Sequence, residues 1–179
     1  MVRRSSPARS GCANRARFEC SRVARFVKQL QTMKPLKTIL VPTDFSPNAN
    51  EALDYAVELA KRFDARIQVL NVIPTAMIGA EYGLMVTQAM VDDLLRDNQA
   101  TLDKLVAART DKAAFAPPRL EVGDVRIQIE RVASEIHADL IVMGTHGRRG
   151  VKRALLGSVA ESVVRTTACP VLLVREGVS

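Results

Sequence analysis

DLIVMGTHGRRGVKRALLGS, residues 139–158, joins an apolar run to a segment rich in glycine and basic residues. The continuous apolar run from Leu140 to Met143 is typical of a parallel strand that is buried on both faces. Glycines follow at positions 144, 147, 150 and 157. Glycine permits positive φ and lets a ligand approach the main chain closely, and arginine and lysine suit an anion. The stretch therefore predicts a buried strand followed by a phosphate-binding loop, with a solvated loop as the plainer alternative.

Strand-like and helix-like segments alternate on both sides of this stretch. Strands are predicted at 37–42, 66–73, 119–122, 139–143 and 170–175. Helices are predicted from Pro47 after an N-cap at Ser46, and from the apolar stripes that run through 91–111, 129–136 and 158–167. This order predicts a doubly wound α/β fold, with a five-stranded parallel sheet in the order 3-2-1-4-5 and helices on both faces.

In such a sheet the ligand crevice opens at the carboxyl ends of the first and fourth strands, where the crossovers diverge. Pro42, Thr43 and Asp44 follow the first strand, and Gly144 follows the fourth. Gly147 comes after two residues, and the pair Gly157-Ser158 after nine more, at the start of a helix. A helix N-terminus favours an anion. The segment is not a Walker A loop, because no Gly-Lys-Ser/Thr follows the glycines, and the early strand lacks the dinucleotide pattern.

The charge is distributed very unevenly along the 179 residues, whose formal net charge is +7. Residues 1–32 contain eight basic residues and one acid, so they carry the whole net charge. We interpret them as a basic extension, disordered or lying upstream of a true start at Met33; a transit peptide and a nucleic-acid arm are the alternatives. Residues 33–179 then form one neutral domain, which makes nucleic acid an unexpected partner.

No stretch approaches the roughly 18 to 20 apolar residues that a membrane helix needs, so we expect a soluble protein without membrane contact. The three cysteines, Cys12, Cys20 and Cys169, form no evident disulfide framework. A reducing compartment is therefore the simpler assumption.

Four separated motifs resemble those of the universal stress protein family: ILVPTDFS at 39–46, DLIVMGTHGR at 139–148, GSVAE at 157–161 and CPVLLV at 169–174. The resemblance covers about residues 34–175, and the glycine spacing is similar to that of the ATP-binding branch. It implies a small cytoplasmic protein, often dimeric, that binds ATP, supports survival under stress and hydrolyses ATP weakly or not at all.

The resemblance also implies roles for individual residues. Asp44, in the segment Pro42-Thr43-Asp44, would meet the ribose or a metal-bound phosphate, and the backbone of Val72 would meet adenine. Met143 and Gly144 would line the ribose. The phosphates would be bound by Gly147, Arg148, Gly157, Ser158 and Val159. Asn71 departs from the histidine that the family often has at this position, with a small expected consequence for adenine recognition.

Each of these assignments has a structural alternative. Ser158 and Glu161 form an S-x-x-E pattern, so Ser158 could cap its own helix. Met143 could be a core residue, and Asp44 an ordinary turn residue. If Asp44 does belong to a phosphate site, an acid at that position favours a bridging Mg²⁺. Neither histidine has a partner at metal-ligand spacing.

Two classes of function stay open, together with an expected self-association. The first is a nucleotide-dependent stress-response module that acts through partner proteins the sequence does not name. The second is a slow ATPase or phosphotransferase, and an interaction module that needs no nucleotide is a further alternative. The fifth strand, Val171–Val174, is a predicted edge that is apolar throughout, which predicts a homodimer paired through this strand.

Overall fold

Strands and helices alternate along the chain as the sequence predicts. The structure is a computed structural model and describes residues 35–75, 87–147 and 156–175. The strands are β1 (Thr38–Thr43), β2 (Arg66–Ile73), β3 (Ala114–Phe115), β4 (Arg119–Val122), β5 (Leu140–Gly144) and β6 (Val171–Val174). The helices are α1 (Pro47–Phe63), α2 (Gln88–Ala107), α3 (Val125–Glu135) and α4 (Ser158–Thr166). The predictions for residues 1–32 and for Arg148 lie outside the described residues.

All described strand pairs are parallel, and the sheet has the order β3-β2-β1-β5-β6, with β4 also paired to β2. The predicted order 3-2-1-4-5 is confirmed, since its third strand, 119–122, is β4. The sheet has one short strand in addition to the five predicted, because β3 is a separate, two-residue strand on the same side of β2. Pro117 and Pro118 stand between β3 and β4, and proline has no N–H for a ladder, so this edge consists of two short strands.

Two helices begin earlier than their apolar stripes suggest. Thr87 caps α2 by accepting a hydrogen bond from the backbone N–H of Met90 at 3.3 Å. Asp124 caps α3 in the same way through Ile127, at 3.0 Å. A side-chain oxygen at the N-cap satisfies a backbone donor that has no partner inside the helix, so each helix extends back to its cap. In the part of the chain that the structure describes, no helix is long and apolar enough to cross a membrane.

The core consists of two layers, one on each face of the sheet. Ile39 and Val41 of β1 face α1 and α2, where Leu53 is fully buried. Leu40, between them, faces α3 and α4, where Ile129 is fully buried. Successive side chains of a strand point to opposite faces, which is why β1 must be apolar at every central position. The packing holds β1 and β5 side by side and brings their carboxyl ends together.

A closed ring of ion pairs joins β4 to α3. Arg119 contacts Glu121 at 2.7 Å and Glu135 at 2.9 Å, while Arg131 contacts Glu121 at 2.7 Å and also Glu135. The hydrogen bond from Arg119, opposed by desolvation and helped by Arg131, keeps the pKa of Glu135 below its ordinary value of 4.5. Charged side chains of this kind discourage another strand from pairing with an edge.

We predict that the ring stabilises the protein only where Glu135 is ionised. A lowered pKa contributes stability above the unfolded-state value, and this contribution is lost as the pH falls through the folded-state value. Wild type should therefore exceed Glu135→Gln in urea-denaturation midpoint at about pH 7, and the two should converge at about pH 2, where carboxylates are protonated. Asp93→Asn, in the exposed pair with Arg96 on α2, is the control and should show a smaller effect. A difference that does not change with pH would contradict this electrostatic account.

Candidate functional site

The turn after β1 is held by hydrogen bonds from side chains to the backbone. Thr43 Oγ1 accepts from the N–H of Phe45 at 3.0 Å, and Asp44 Oδ1 accepts from the N–H of Ser46 at 3.1 Å. Phe45 lies between these two bonds with a φ of 64°, which is rare for a residue with a side chain. Asp44 is thus a turn residue through Oδ1, and the turn directs its other oxygen toward the loop after β5.

Gly144, at the end of β5, packs directly against the first turn of α1. A Cβ atom at Gly144 would lie 2.9 Å from the carbonyl oxygen of Asn48 and 3.0 Å from its carbonyl carbon. Asn48 also donates a hydrogen bond from Nδ2 to the carbonyl of His146, at 3.3 Å. Both contacts pull the loop after β5 onto the N-terminus of α1. Gly144 is therefore required for close packing of backbone against backbone, a role that the glycine spacing did not reveal.

Gly147 lies against the carboxylate of Asp44. A Cβ atom at Gly147 would be 2.6 Å from Asp44 Oδ2, and its other neighbour within 4 Å among the described residues belongs to the same carboxylate. The segments after β1 and β5 therefore meet, as the position of the switch point predicts. None of the three described glycines of the loop, Gly144, Gly147 and Gly157, has a positive φ. Close approach of other groups, and not an unusual backbone conformation, explains these glycines.

The N-terminus of α4 begins at this meeting point. Gly157 is its N-cap and donates its own N–H to the carbonyl of Thr145 at 2.7 Å, while its carbonyl accepts from Glu161. Ser158 is thus the first helical residue, and the predicted capping box with Glu161 was wrong. Ser46, Thr87 and Asp124 cap the other three described helices with a side-chain oxygen, but Gly157 has no side chain to do so.

The absent side-chain cap has an electrostatic consequence. The first N–H groups of a helix have no acceptor inside the helix, and the helix dipole places partial positive charge there. Ser158 and Val159, which carry such groups, are both exposed. The end of α4 that faces the carboxyl edge of the sheet is therefore suited to an anion.

Two predicted site residues belong largely to the interior. The side chain of Met143 is 6% exposed and packs in the core with Leu70 and Val163, so the core interpretation holds for this side chain. Val72 is half-buried and lies one residue beyond the last β1–β2 pair, Thr43 with Asn71. Its backbone has therefore left the β1 ladder, although it still pairs with β4.

A cavity of about 380 Å³ adjoins the N-terminus of α4. Ser158 and Val159 line one side, and Gly123 and Arg126, from the turn between β4 and α3, line the other. Sequence reasoning did not assign these last two residues to the site. The available signal was Gly-Asp directly before an apolar stripe, where Gly123 takes a φ of 146° and the following aspartate caps α3.

Among the residues that the structure describes, no group of three histidine, cysteine or acidic side chains could hold a metal ion. Asp44 is a single carboxylate near the glycine loop. Mg²⁺ commonly takes one or two protein carboxylates and completes its octahedral shell with substrate phosphates and water. The donor set fits a Mg²⁺ ion that arrives with a polyphosphate, and does not fit a metal held by the protein alone.

These features define a doubly wound α/β protein in which the segments after β1 and β5 meet at the topological switch point of the sheet. The profile of the universal stress protein family matches residues 35–175, and the chain belongs to this family. Universal stress protein MJ0531 from Methanocaldococcus jannaschii is 36% identical over 144 residues, which is 78% of this chain and 82% of that protein.

Solved structures agree with the fold. The hypothetical protein MJ0577 superimposes with a TM-score of 0.72 at 28% identity, over 82% of this chain and all of that one. A universal stress protein in complex with cAMP superimposes with a TM-score of 0.54 at 26% identity, over 79% of this chain and 98% of that one. The family thus includes a member that binds a nucleotide.

Proposed function

We propose that the chain binds ATP at the switch point and acts as a nucleotide-dependent stress-response module in the cytoplasm. The observation that carries the proposal is the N-terminus of α4, which has no side-chain cap and lies beside the meeting point of the β1 and β5 loops. The cAMP complex of a relative supports a nucleotide as the ligand. ATP is the proposed nucleotide because the glycine spacing resembles that of the ATP-binding branch.

In this proposal the main chain provides most of the contacts to the phosphates. The N–H groups of Ser158 and Val159 face the ligand, and Gly147 and Gly157 let the phosphates approach the backbone. The remaining contacts follow the assignments made from the sequence, with Val72 at adenine, Gly144 at the ribose, and Arg148 as a further phosphate contact. The backbone of Met143 takes part, whereas its buried side chain does not.

Asp44 is the proposed link to Mg²⁺ or to the ribose. Its Oδ2 faces Gly147, so it lies at the edge of the glycine loop at which the phosphates would bind. A carboxylate there repels an anion unless a cation lies between them, which is the reason to propose Mg²⁺ together with ATP. When bound, the ion would neutralise phosphate charge, while Asp44 would orient it.

We also propose a homodimer through β6. The two edges of the sheet differ. The strand β4 carries charged residues of the ion-pair ring, whereas β6, Val171–Val174, is wholly apolar. An apolar recess of about 180 Å³ lies between Leu172 and the half-exposed Tyr55 of α1. Two β6 strands paired about a two-fold axis would satisfy both edges and fill both recesses.

The first prediction from the proposed function concerns the glycine loop. Gly147→Val should abolish ATP binding, which we expect in the micromolar range, about 8 kcal/mol, for the unmodified protein. The fold should persist, since the only described neighbour of the new Cβ is the side-chain carboxylate of Asp44, whereas at Gly144 it would be backbone. The control variant, Ala168→Val, introduces the same side chain in the exposed turn before β6, at the edge of the sheet opposite to the glycine loop. This variant should bind ATP normally. Titration calorimetry measures both.

The same samples can separate a binding module from an enzyme. Occupancy without measurable turnover at saturating Mg²⁺·ATP would support the module, whereas steady turnover would support the slow ATPase or phosphotransferase. If Gly147→Val binds ATP as well as the unmodified protein does, the glycine loop is not the phosphate site. If the unmodified protein binds no ATP, the interaction module that needs no nucleotide takes its place.

The second prediction separates the two roles of Asp44. If the carboxylate meets Mg²⁺, Asp44→Ala should weaken ATP binding about tenfold with Mg²⁺ present and much less in EDTA. If it instead holds the ribose, both affinities should fall equally. Wild-type affinity under both conditions would leave Asp44 with its turn role alone.

The third prediction concerns association. Leu172→Lys introduces a charge into the recess beside Tyr55, which a dimer would bury, so we expect this variant to be monomeric or to aggregate. Val122→Lys places the same charge on the exposed end of β4 and should leave the association unchanged. Light scattering at tens of micromolar gives the masses. A monomeric unmodified protein would contradict pairing through β6.

A further inference from the structure

Asn71 is a buried amide at the carboxyl end of β2. It is 4% exposed and pairs in register with Thr43, the last residue of β1. Its Nδ2 donates a hydrogen bond of 2.7 Å to the carbonyl oxygen of Thr43. This bond joins two strand ends across 28 positions of sequence, and it ends on the residue that begins the turn containing Asp44.

A chain of hydrogen bonds continues from Thr43 to α1. Its Oγ1 accepts from Phe45, the next bond runs from Ser46 to Asp44 Oδ1, and Ser46 in turn caps α1 through Ala49 at 3.2 Å. The orientation of the Asp44 carboxylate thus depends on the position of the Thr43 backbone. Asn71 is the side chain that fixes this backbone from the neighbouring strand.

The other end of the Asn71 amide is unsatisfied. Its Oδ1 is buried and has no hydrogen-bond partner among the described residues. A buried acceptor without a partner destabilises a protein, and a leucine of nearly the same shape would avoid this cost. Residues that disfavour the fold in this way occur most often where the site, and not the core, requires them.

We propose that Asn71 is a positioning residue of the nucleotide site. It holds the Thr43 carbonyl and, through the turn, sets the carboxylate of Asp44 against Gly147. This inference rests on the proposed function. It goes beyond that function because the hydrogen bond from Asn71 to Thr43 is made from β2, outside the glycine loop and the β1 turn. Its chemical requirement is an N–H donor at position 71, which asparagine and histidine can both supply.

The experiment compares Asn71→Leu with Asn71→His and with a matched control. Leucine removes the donor and leaves the Thr43 carbonyl unpaired, but it also removes the unsatisfied oxygen, so the denaturation midpoint should change little. ATP affinity should fall about tenfold, the equivalent of one hydrogen bond. In the protein without nucleotide, the amides of Phe45 and Ser46 should exchange hydrogen faster, because the turn that protects them is no longer held. Asn71→His should restore both the affinity and the protection.

Gln68→Met is the control. Gln68 is also a buried amide of β2, and its Nε2 donates to the carbonyl of Pro117 at 2.7 Å, far along the chain from the β1 turn. Loss of the Gln68 amide should lower the denaturation midpoint without changing the ATP affinity or the hydrogen exchange of the Phe45 amide. Titration of the unmodified protein tests the proposed function alone. If that protein binds ATP, and Asn71→Leu binds equally well with unchanged exchange at Phe45 and Ser46, the positioning role is wrong.

Discussion

The parallel direction of every described strand is the constraint on which the site depends. In a parallel sheet with helical crossovers, the carboxyl ends of the strands and the N-termini of the helices share one edge. This edge therefore concentrates unpaired backbone N–H groups and partial positive charge. Three of the four described helices satisfy one of these N–H groups each with a side-chain cap, from Ser46, Thr87 and Asp124. The helix α4 has glycine at the N-cap position, so no side-chain oxygen of the cap competes with a ligand for the N–H groups at its start.

Close packing of backbone segments determines which backbone N–H groups at this edge of the sheet have no side-chain cap. Gly144 lets β5 contact the first turn of α1, and Gly157 lets the start of α4 donate to the Thr145 carbonyl. That last bond keeps Gly157 extended, at φ −71° and ψ 153°, and makes Ser158 the first helical residue. The S-x-x-E pattern predicted a different cap because it records only local spacing. The hydrogen bond from Gly157 to the Thr145 carbonyl, in the loop after β5, decided the helix start, and its acceptor lies outside the four-residue S-x-x-E pattern.

The same distinction between local and tertiary signals separates what the sequence could predict from what it could not. Continuous apolar runs such as Leu140 to Met143 predicted the buried strands, and the order of strands and helices was enough to predict the sheet order. The two-residue strand β3 has no periodicity to detect, and its existence depends on the breaks at Pro117 and Pro118. The meeting of Asp44 with Gly147 followed from the switch point, but the bond from Asn71 to Thr43 did not. A buried amide can pair with any nearby carbonyl, and only the register of β1 with β2 selects this one.

The distribution of charge agrees with a site made mainly of backbone donors. The whole net charge of +7 is carried by residues 1–32, so the domain that contains the site is neutral and has no general attraction for anions. Backbone N–H groups held by β5 and α4 are already ordered by folding, so a ligand does not have to immobilise long basic side chains in order to use them. A carboxylate beside such donors would oppose a bare phosphate but would favour one that carries a cation. The combination of fixed backbone donors with the Asp44 carboxylate is therefore what would make the proposed site favour a metal-bound nucleotide over other anions.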